Sequence, residues 1–350
     1  MGEKLQVNRL NNAREIVRPL ISVLLALLLG AIIIQAIGED AANIYEIMFT
    51  GAFGNRINLA ETMIKATTLI FTGLSYAFAY KCGLVNIGAE GQLYMGAVFS
   101  TWVGINLAGL PAIIHIPLAL LAGLLGGALL GGLVGWLKTR FGANEVITTV
   151  MLNYVAQYLT SWLVNGPMQE TAGNFPQTEM TQTSAYLTNI LPGTRLHIGF
   201  LLAILALIVY GIFLFHTSSG YEMRIVGQNN RLAAYAGINI KRNVMVSMLI
   251  AGGCGGLGGA MEILGVQHRL IPSFSGGYGF DGIAVSLLGN NNPVGIFFSS
   301  LLFGALKNGG NSVQMFSKVP AAIINIIQAL VIIFVVLDLG SRFLKKKAVK

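Results

Sequence analysis

Stretches of predominantly apolar residues recur along this chain at 20–38, 62–80, 91–110, 113–137, 146–164, 198–215, 244–264 and 321–339. A helix needs about 20 such residues to cross the roughly 30 Å hydrocarbon core of a bilayer, and each of these stretches is close to that length. Charge is correspondingly scarce: 10% of the residues are charged, against roughly 25% in soluble domains. With 54% hydrophobic residues and 44 glycines in 350, the chain cannot cover a soluble surface. The expected fold is an all-α polytopic membrane protein with the lipid bilayer as its solvent. Although the formal charge is +8, the basic residues are strung out in short loops rather than gathered on one face, so no nucleic-acid partner is expected. Cys82 and Cys254 lie far apart and read as packing residues, not as a disulfide or metal pair. No cleavage site follows the first apolar run convincingly, so that run reads as a retained span.

Loop charge sets the topology. Lys and Arg concentrate in cytoplasmic loops. Here they cluster at Lys4, Arg9, Arg14 and Arg18, at Lys138 and Arg140, at Arg224, Arg231, Lys241 and Arg242, and at Arg342, Lys345, Lys346, Lys347 and Lys350. These groups fall on one side if the segments alternate. Between 278 and 306 lies an apolar stretch broken by Gly289-Asn290-Asn291-Asn292-Pro293. If both short halves cross, there are about ten transmembrane segments, some short or broken, with N- and C-termini cytoplasmic. The expected organisation is a cytoplasmic segment at 1–18, one transmembrane domain at 19–340 and a basic tail at 341–350.

Two glycine-rich stretches resemble each other: one runs through Asn86, Glu90 and Gly91, the other through Phe280, Asp281 and Gly282. Each sets an acidic residue and a glycine at the mouth of an apolar helix. The topology puts Glu90 at the inner side and Asp281 at the outer side. Two inverted repeats are therefore expected, at about 58–165 and 243–340, an architecture that transporters use to hold a permeant between halves. Helix capping is the other reading of both acids. Small residues recur every four positions at Gly123, Gly127, Gly131 and Gly135, and again at Gly252, Gly256, Gly255 and Gly259, a spacing that lets helix backbones approach closely.

In the fifth span Asn153, Tyr154 and Gln157 are expected to share one helical face, turned toward the protein or a wet cavity. The choice lies between interhelical hydrogen bonding and contact with a neutral, hydrogen-bonding permeant. Glu61 and Glu262 fall near span ends, and no mid-membrane pair of carboxylates stands out. Catalytic signatures are missing, as is a Walker motif, so the chain is not expected to be an enzyme or to bind ATP itself. The four histidines read as interfacial residues. The loop at 217–242 is the longest inner one. Within it Asn230 is expected to cap a helix at 231–236 that Gly237 closes. So short a helix cannot stand alone in water, and Leu232 and Tyr235 on one face call for a surface to dock on.

Four segments carry a resemblance: 83–96 (GLVNIGAEGQLYMG), 142–154 (GANEVITTVMLNY), the 217–243 loop, and 276–293 (GGYGFDGIAVSLLGNNNP). Together they resemble the permease subunits of bacterial ATP-binding-cassette (ABC) importers of the branched-chain amino acid, ribose and nucleoside type, most of all the nucleoside permeases. The resemblance implies a bacterial cell-membrane protein that translocates a small neutral polar solute, with nucleosides as the expected cargo, by alternating access. It implies a second permease subunit, two cytoplasmic ATPase subunits holding ATP-Mg, and an extracellular substrate-binding lipoprotein, with no cofactor on this chain. The coupling residues it implies are Gln228, Asn229, Asn230, Arg231, Leu232, Ala233, Ala234, Tyr235 and Gly237. Asn86, Glu90, Tyr94, Asn153, Tyr154, Gln157, Phe280 and Asp281 form the expected substrate pathway. The segment at 166–196 is a plausible platform for the binding protein or a solvated loop. The rival reading is an ion-coupled secondary transporter of nucleosides or sugars.

Overall fold

A computed structural model describes residues 21–173 and 175–336. The expected terminal segments at 1–18 and 341–350 lie outside the described residues. The helices are α1 (Ile21–Ala36), α2 (Ala41–Phe53), α3 (Arg56–Lys81), α4 (Ala89–Asn106), α5 (Ala112–Phe141), α6 (Glu145–Val164), α7 (Gly199–His216), α8 (Ser218–Gln228), α9 (Asn230–Tyr235), α10 (Ile240–Glu262), α11 (Tyr278–Leu288), α12 (Pro293–Phe316) and α13 (Ala321–Val336). A π-helical turn, Ile263–Gln267, prolongs α10. Among the described residues, Ala112–Phe141, Gly199–His216 and Ile240–Gln267 are both long and apolar enough to cross a bilayer by length and composition.

The broken stretch near the C-terminus differs from the two equal halves expected. With 24 residues α12 is about 36 Å long, whereas α11, with 11 residues, is about 17 Å. The chain reverses between them through Asn290 and Asn291, both left-handed at φ 57° and 53°, a region that asparagine tolerates better than other non-glycine residues. Tyr210 Oη of α7 donates to the Asn291 carbonyl at 2.9 Å, and Ser286 Oγ donates to Asn291 Oδ1 at 2.9 Å. The turn is thereby pinned on both sides.

The chain divides into two compact units, Met63–Gly304 and the combination of Met1–Thr62 with Ala305–Lys350. In the larger unit α10 packs most extensively on α5 and α4. The expected glycine stripes form this seam. A methyl group at Gly127 would meet the Gly252 carbonyl oxygen, one at Gly256 the Gly123 carbonyl, and one at Gly259 the Leu93 carbonyl. Backbone meets backbone, so no side chain can yield. Helix α4 is buried on most sides from Ala89 to Thr101, with Met95 and Phe99 partly exposed, as expected of a helix largely ringed by others. Cys82 is buried and Cys254 half-buried, both as free thiols.

In the smaller unit, Ile34, Ala41, Ile44, Val313, Val319, Ile323, Ile324 and Ile327 form an apolar cluster. Asn308 Nδ2 lies within hydrogen-bonding distance of the Gly51 carbonyl (3.1 Å), the Asn58 carbonyl (2.9 Å) and Thr62 Oγ1 (3.2 Å). This buried amide ties α12 to the α2–α3 corner.

Candidate functional site

The two glycine-rich stretches come together. Glu90, in the first turn of α4, accepts a hydrogen bond from the Gly279 amide in the first turn of α11 at 2.7 Å through Oε2. Gly279 has no side chain because one would run into the Glu90 amide. Residues in such contact cannot lie on opposite faces of a roughly 30 Å core. The expected separation of Glu90 (inner) from Asp281 (outer) is therefore corrected: α4 and α11 begin at a shared point. A helix N-terminus carries about half a positive charge, and the Glu90 carboxylate compensates two such ends. Gly277, at φ 87°, provides the left-handed residue that starts α11.

Beneath this contact lies a saturated polar knot. Asn86 Oδ1 accepts from the Gly88 amide (3.0 Å) and from Gln92 Nε2 (3.2 Å). Its Nδ2 donates to Ser75 Oγ (3.0 Å) and Gln92 Oε1 (3.1 Å), and Ser75 Oγ donates to Gln92 Oε1 at 2.8 Å. Asn153 Oδ1 accepts from the Gly91 amide at 2.8 Å, while its Nδ2 donates to the Ile87 carbonyl at 2.9 Å. All these groups are buried, and pairing offsets the cost of removing them from water. Asn86 and Asn153 thus fix the start of α4. Ser75 and Gln92 were missed from the sequence because single polar residues inside apolar spans carry no periodic signal.

The expected pathway residues separate into two sets. Asn86, Glu90, Tyr94 and Asn153 are buried. Tyr94 meets Phe274 edge-on, with ring centroids 4.8 Å apart. Tyr154 and Phe280 are exposed at 53% and 46%, and Gln157 and Asp281 are partly exposed. Asn153 and Tyr154 therefore do not share a face, since adjacent residues on a helix point about 100° apart. Tyr154 belongs to an exposed stripe with Ile147, Met151, Tyr158 and Trp162.

Glu262, expected near a span end, is the last residue of α10 and is buried, accepting from Thr68 Oγ1 (3.1 Å) and Gln267 Nε2 (3.3 Å). His115 and His197, near the starts of α5 and α7, are buried within the protein. The His115 ring nitrogens pair with Ser184 Oγ at 2.8 Å and the Val103 carbonyl at 3.2 Å. Among the described residues, no group of three or more His, Cys, Asp or Glu side chains converges as a metal site would.

The 166–196 segment is pinned as a strap rather than left as a free loop. The Thr178, Thr181 and Leu187 amides donate to the Leu270, His268 and Leu264 carbonyls at 3.0, 2.8 and 3.0 Å. Beside it, burial and then the neighbouring His268 push the His197 imidazole down to about 4. The Gly199 amide donates to its Nδ1 at 3.1 Å. Hydrogen bonds from Thr171 hold the Glu179 carboxyl below the ordinary carboxylate range.

The short loop helix forms one residue earlier than expected. Asn229, not Asn230, is the cap: its Oδ1 accepts from the Arg231 and Leu232 amides at 2.9 and 3.2 Å. Asn229 is extended, at φ −159° and ψ 104°, the backbone an N-cap requires. Gly237, at φ 73°, ends the turn, with the Ile238 amide donating to the Ala233 carbonyl at 3.0 Å. Ala233 is buried, whereas Leu232 and Tyr235 are 61% and 92% exposed. Gln228, Asn229, Asn230, Arg231 and Ala234 are exposed around them.

Residues 58–336 match the family described as branched-chain amino acid transport system / permease component. The chain is similar to the guanosine ABC transporter permease protein NupP of Bacillus subtilis, at 38% identity over 95% of this chain and 96% of the relative. It is equally similar, at 38%, to the glucose permease protein TsgB13 of Haloferax volcanii, over 94% and 88%. The nucleoside permease protein NupB of Lactococcus lactis is 34% identical over 97% and 96%. In two of these organisms a second permease of the same printed function also matches, NupC at 29% and NupQ at 28% identity.

Proposed function

This chain belongs to the branched-chain amino acid transport system permease-component family, and from that premise we propose that it is the membrane-spanning permease of an ABC importer for nucleosides. It is a transport component rather than an enzyme. The observation that carries the reading is the meeting of α4 and α11 at Glu90 and Gly279. Helices that begin inside the membrane and face each other across two halves are how transporters build a permeant site. Inverted repeats at 58–165 and 243–340, about ten segments and cytoplasmic termini complete this reading, the orientation resting on the basic loops at 138–140 and 224–242.

The solute passes the exposed set, Tyr154, Gln157, Phe280 and Asp281, while Asn86, Glu90, Tyr94 and Asn153 hold the walls in place. Because Glu90 compensates the two helix ends, the site lacks the uncovered positive pole that an anion would seek, which favours a neutral solute. Two of the most similar relatives act on nucleosides or guanosine. The second permease is a different chain, as the paired relatives suggest, and it covers the exposed Tyr158 and Trp162. ATPase subunits holding ATP-Mg dock on Leu232 and Tyr235 from the cytoplasm and drive alternating access. A lipoprotein delivers the solute to the strap at the outer face of a bacterial cell membrane.

Competition for radiolabelled nucleoside uptake in cells expressing the full system tests the cargo. Unlabelled nucleosides should displace the label and glucose should not. Displacement by glucose alone would transfer the chain to the sugar branch.

A further inference from the structure

Two neighbouring cations, Lys81 at the end of α3 and Arg224 within α8, lack an ion-pair partner among the described residues. Lys81 is the last residue of α3. The chain turns at Gly83, and Gly227 of α8 packs so closely there that a methyl on it would strike the Lys81 carbonyl. Arg224 lies one turn earlier on the same face of α8 and close enough to Lys81 for the two charges to repel. Among the described residues neither takes part in an ion pair. The carboxylate nearest to Arg224 in sequence, Glu222, instead accepts from Asn243 Nδ2 at 3.1 Å.

The Arg224 guanidinium is aimed rather than free. It lies 5.2 Å from the Phe215 ring centroid and 6.0 Å from that of Tyr221. Its Nε is buried without a hydrogen-bond partner, a state that costs free energy unless an acceptor arrives. Phe215 and Tyr221 are themselves exposed at 46% and 56%, as aromatic residues are at a membrane–water boundary. Helix α8 turns back sharply enough for Gly220 to pack on the Phe213 carbonyl, which keeps Arg224 beside the ends of α7 and α3.

We propose that Arg224 and Lys81 form a site for the phosphate of an anionic lipid headgroup in the cytoplasmic leaflet. The guanidinium fork would take phosphate oxygens, and Lys81 would add the second charge. With Nε recessed between the two rings, the terminal guanidinium nitrogens would meet the headgroup first. A docking ATPase meets α9 instead, where Tyr235 projects. Placement in the cytoplasmic leaflet rests on the permease reading above.

The test uses the complete transporter in nanodiscs of phosphatidylcholine with or without phosphatidylglycerol. Lipid retained after extraction is counted by native mass spectrometry, and ATP-driven uptake is measured in matching liposomes. Wild type should retain phosphatidylglycerol; Arg224→Gln should retain about fivefold less, Lys81→Gln a similar fraction, and Arg224→Lys an intermediate amount. Equal retention by wild type and both Gln variants overturns the site. Occupation by inorganic phosphate in phosphatidylcholine discs reassigns it to a soluble anion and overturns the lipid. Loss of ATPase co-purification in Arg224→Gln, with retention unchanged, makes the partner a protein. Leu232→Asp separates the two readings, since it should abolish uptake yet leave lipid retention intact. Arg224-dependent retention in a wild type without ATP-driven uptake would sink the permease reading and spare the lipid site.

Discussion

At Glu90 one carboxylate serves the beginnings of two helices, as part of the first turn of α4 and as acceptor for α11. Glu90→Ala removes a charge-assisted hydrogen bond and should destabilise the fold by about 1.5–3 kcal/mol, with uptake falling in step. Glu90→Gln keeps an acceptor oxygen but not the charge that compensates the two helix ends, and should lose part of both, less than Glu90→Ala. Thermal unfolding in detergent beside transport assays would distinguish the pair; equal loss in both variants would mean that the charge, not the hydrogen bond, matters. His197 gives a pH signature. Its folded pKa is pushed below the ordinary 6.5 to about 4, so between those values the unfolded chain binds more protons and stability rises with pH. The contribution is fully present above about 6.5 and is lost as pH falls toward about 4, in total about 3 kcal/mol as an order of magnitude. Melting temperature measured against pH should fall through that window, and His197→Gln should flatten the curve. The sequence places His197 at a boundary but not its burial, because the strap beside it is held by backbone hydrogen bonds to Leu264, His268 and Leu270, after α10, that no side-chain pattern announces.

At the scale of elements, α9 was legible because its signals are local: an asparagine before it, a glycine after it, two apolar side chains three apart. The one-residue shift of the cap arises because Asn229 and Asn230 have the same chemistry, and the end of α8 at Gln228 decides which is extended. Asn229→Ala should loosen α9 by about 1 kcal/mol and weaken ATPase co-purification, whereas Leu232→Asp should abolish it. The α11–α12 turn makes a separate prediction. Asn290→Gly should be neutral, while Asn290→Val should cost about 1–2 kcal/mol for a branched residue in left-handed backbone, read by unfolding in detergent. Helix α12 was underestimated because its second half carries Lys307, Asn308 and Asn311. Asn308 is buried among protein acceptors, so apolarity alone undercounts a helix that faces protein. Helices α2 and α8 were missed for a related reason: they are short, mixed in polarity and shaped by what they pack on.

For the whole molecule, membrane class and helical fold were readable from charge scarcity and segment length, and the family from four motifs. The glycine seam of α4, α5 and α10 was readable as spacing, though not which helices would meet. The central contact was beyond local reading, since Glu90 and Gly279 are 189 positions apart and only the folded chain joins them. The central claim is that this chain moves nucleosides as the permease of an ATP-driven importer. It is tested most directly by nucleoside uptake into proteoliposomes holding this chain, its partner permease, the ATPases and the binding protein. Uptake should require ATP, ignore an ionophore and disappear in Leu232→Asp. Uptake that proceeds without ATP and collapses with the ionophore would contradict it.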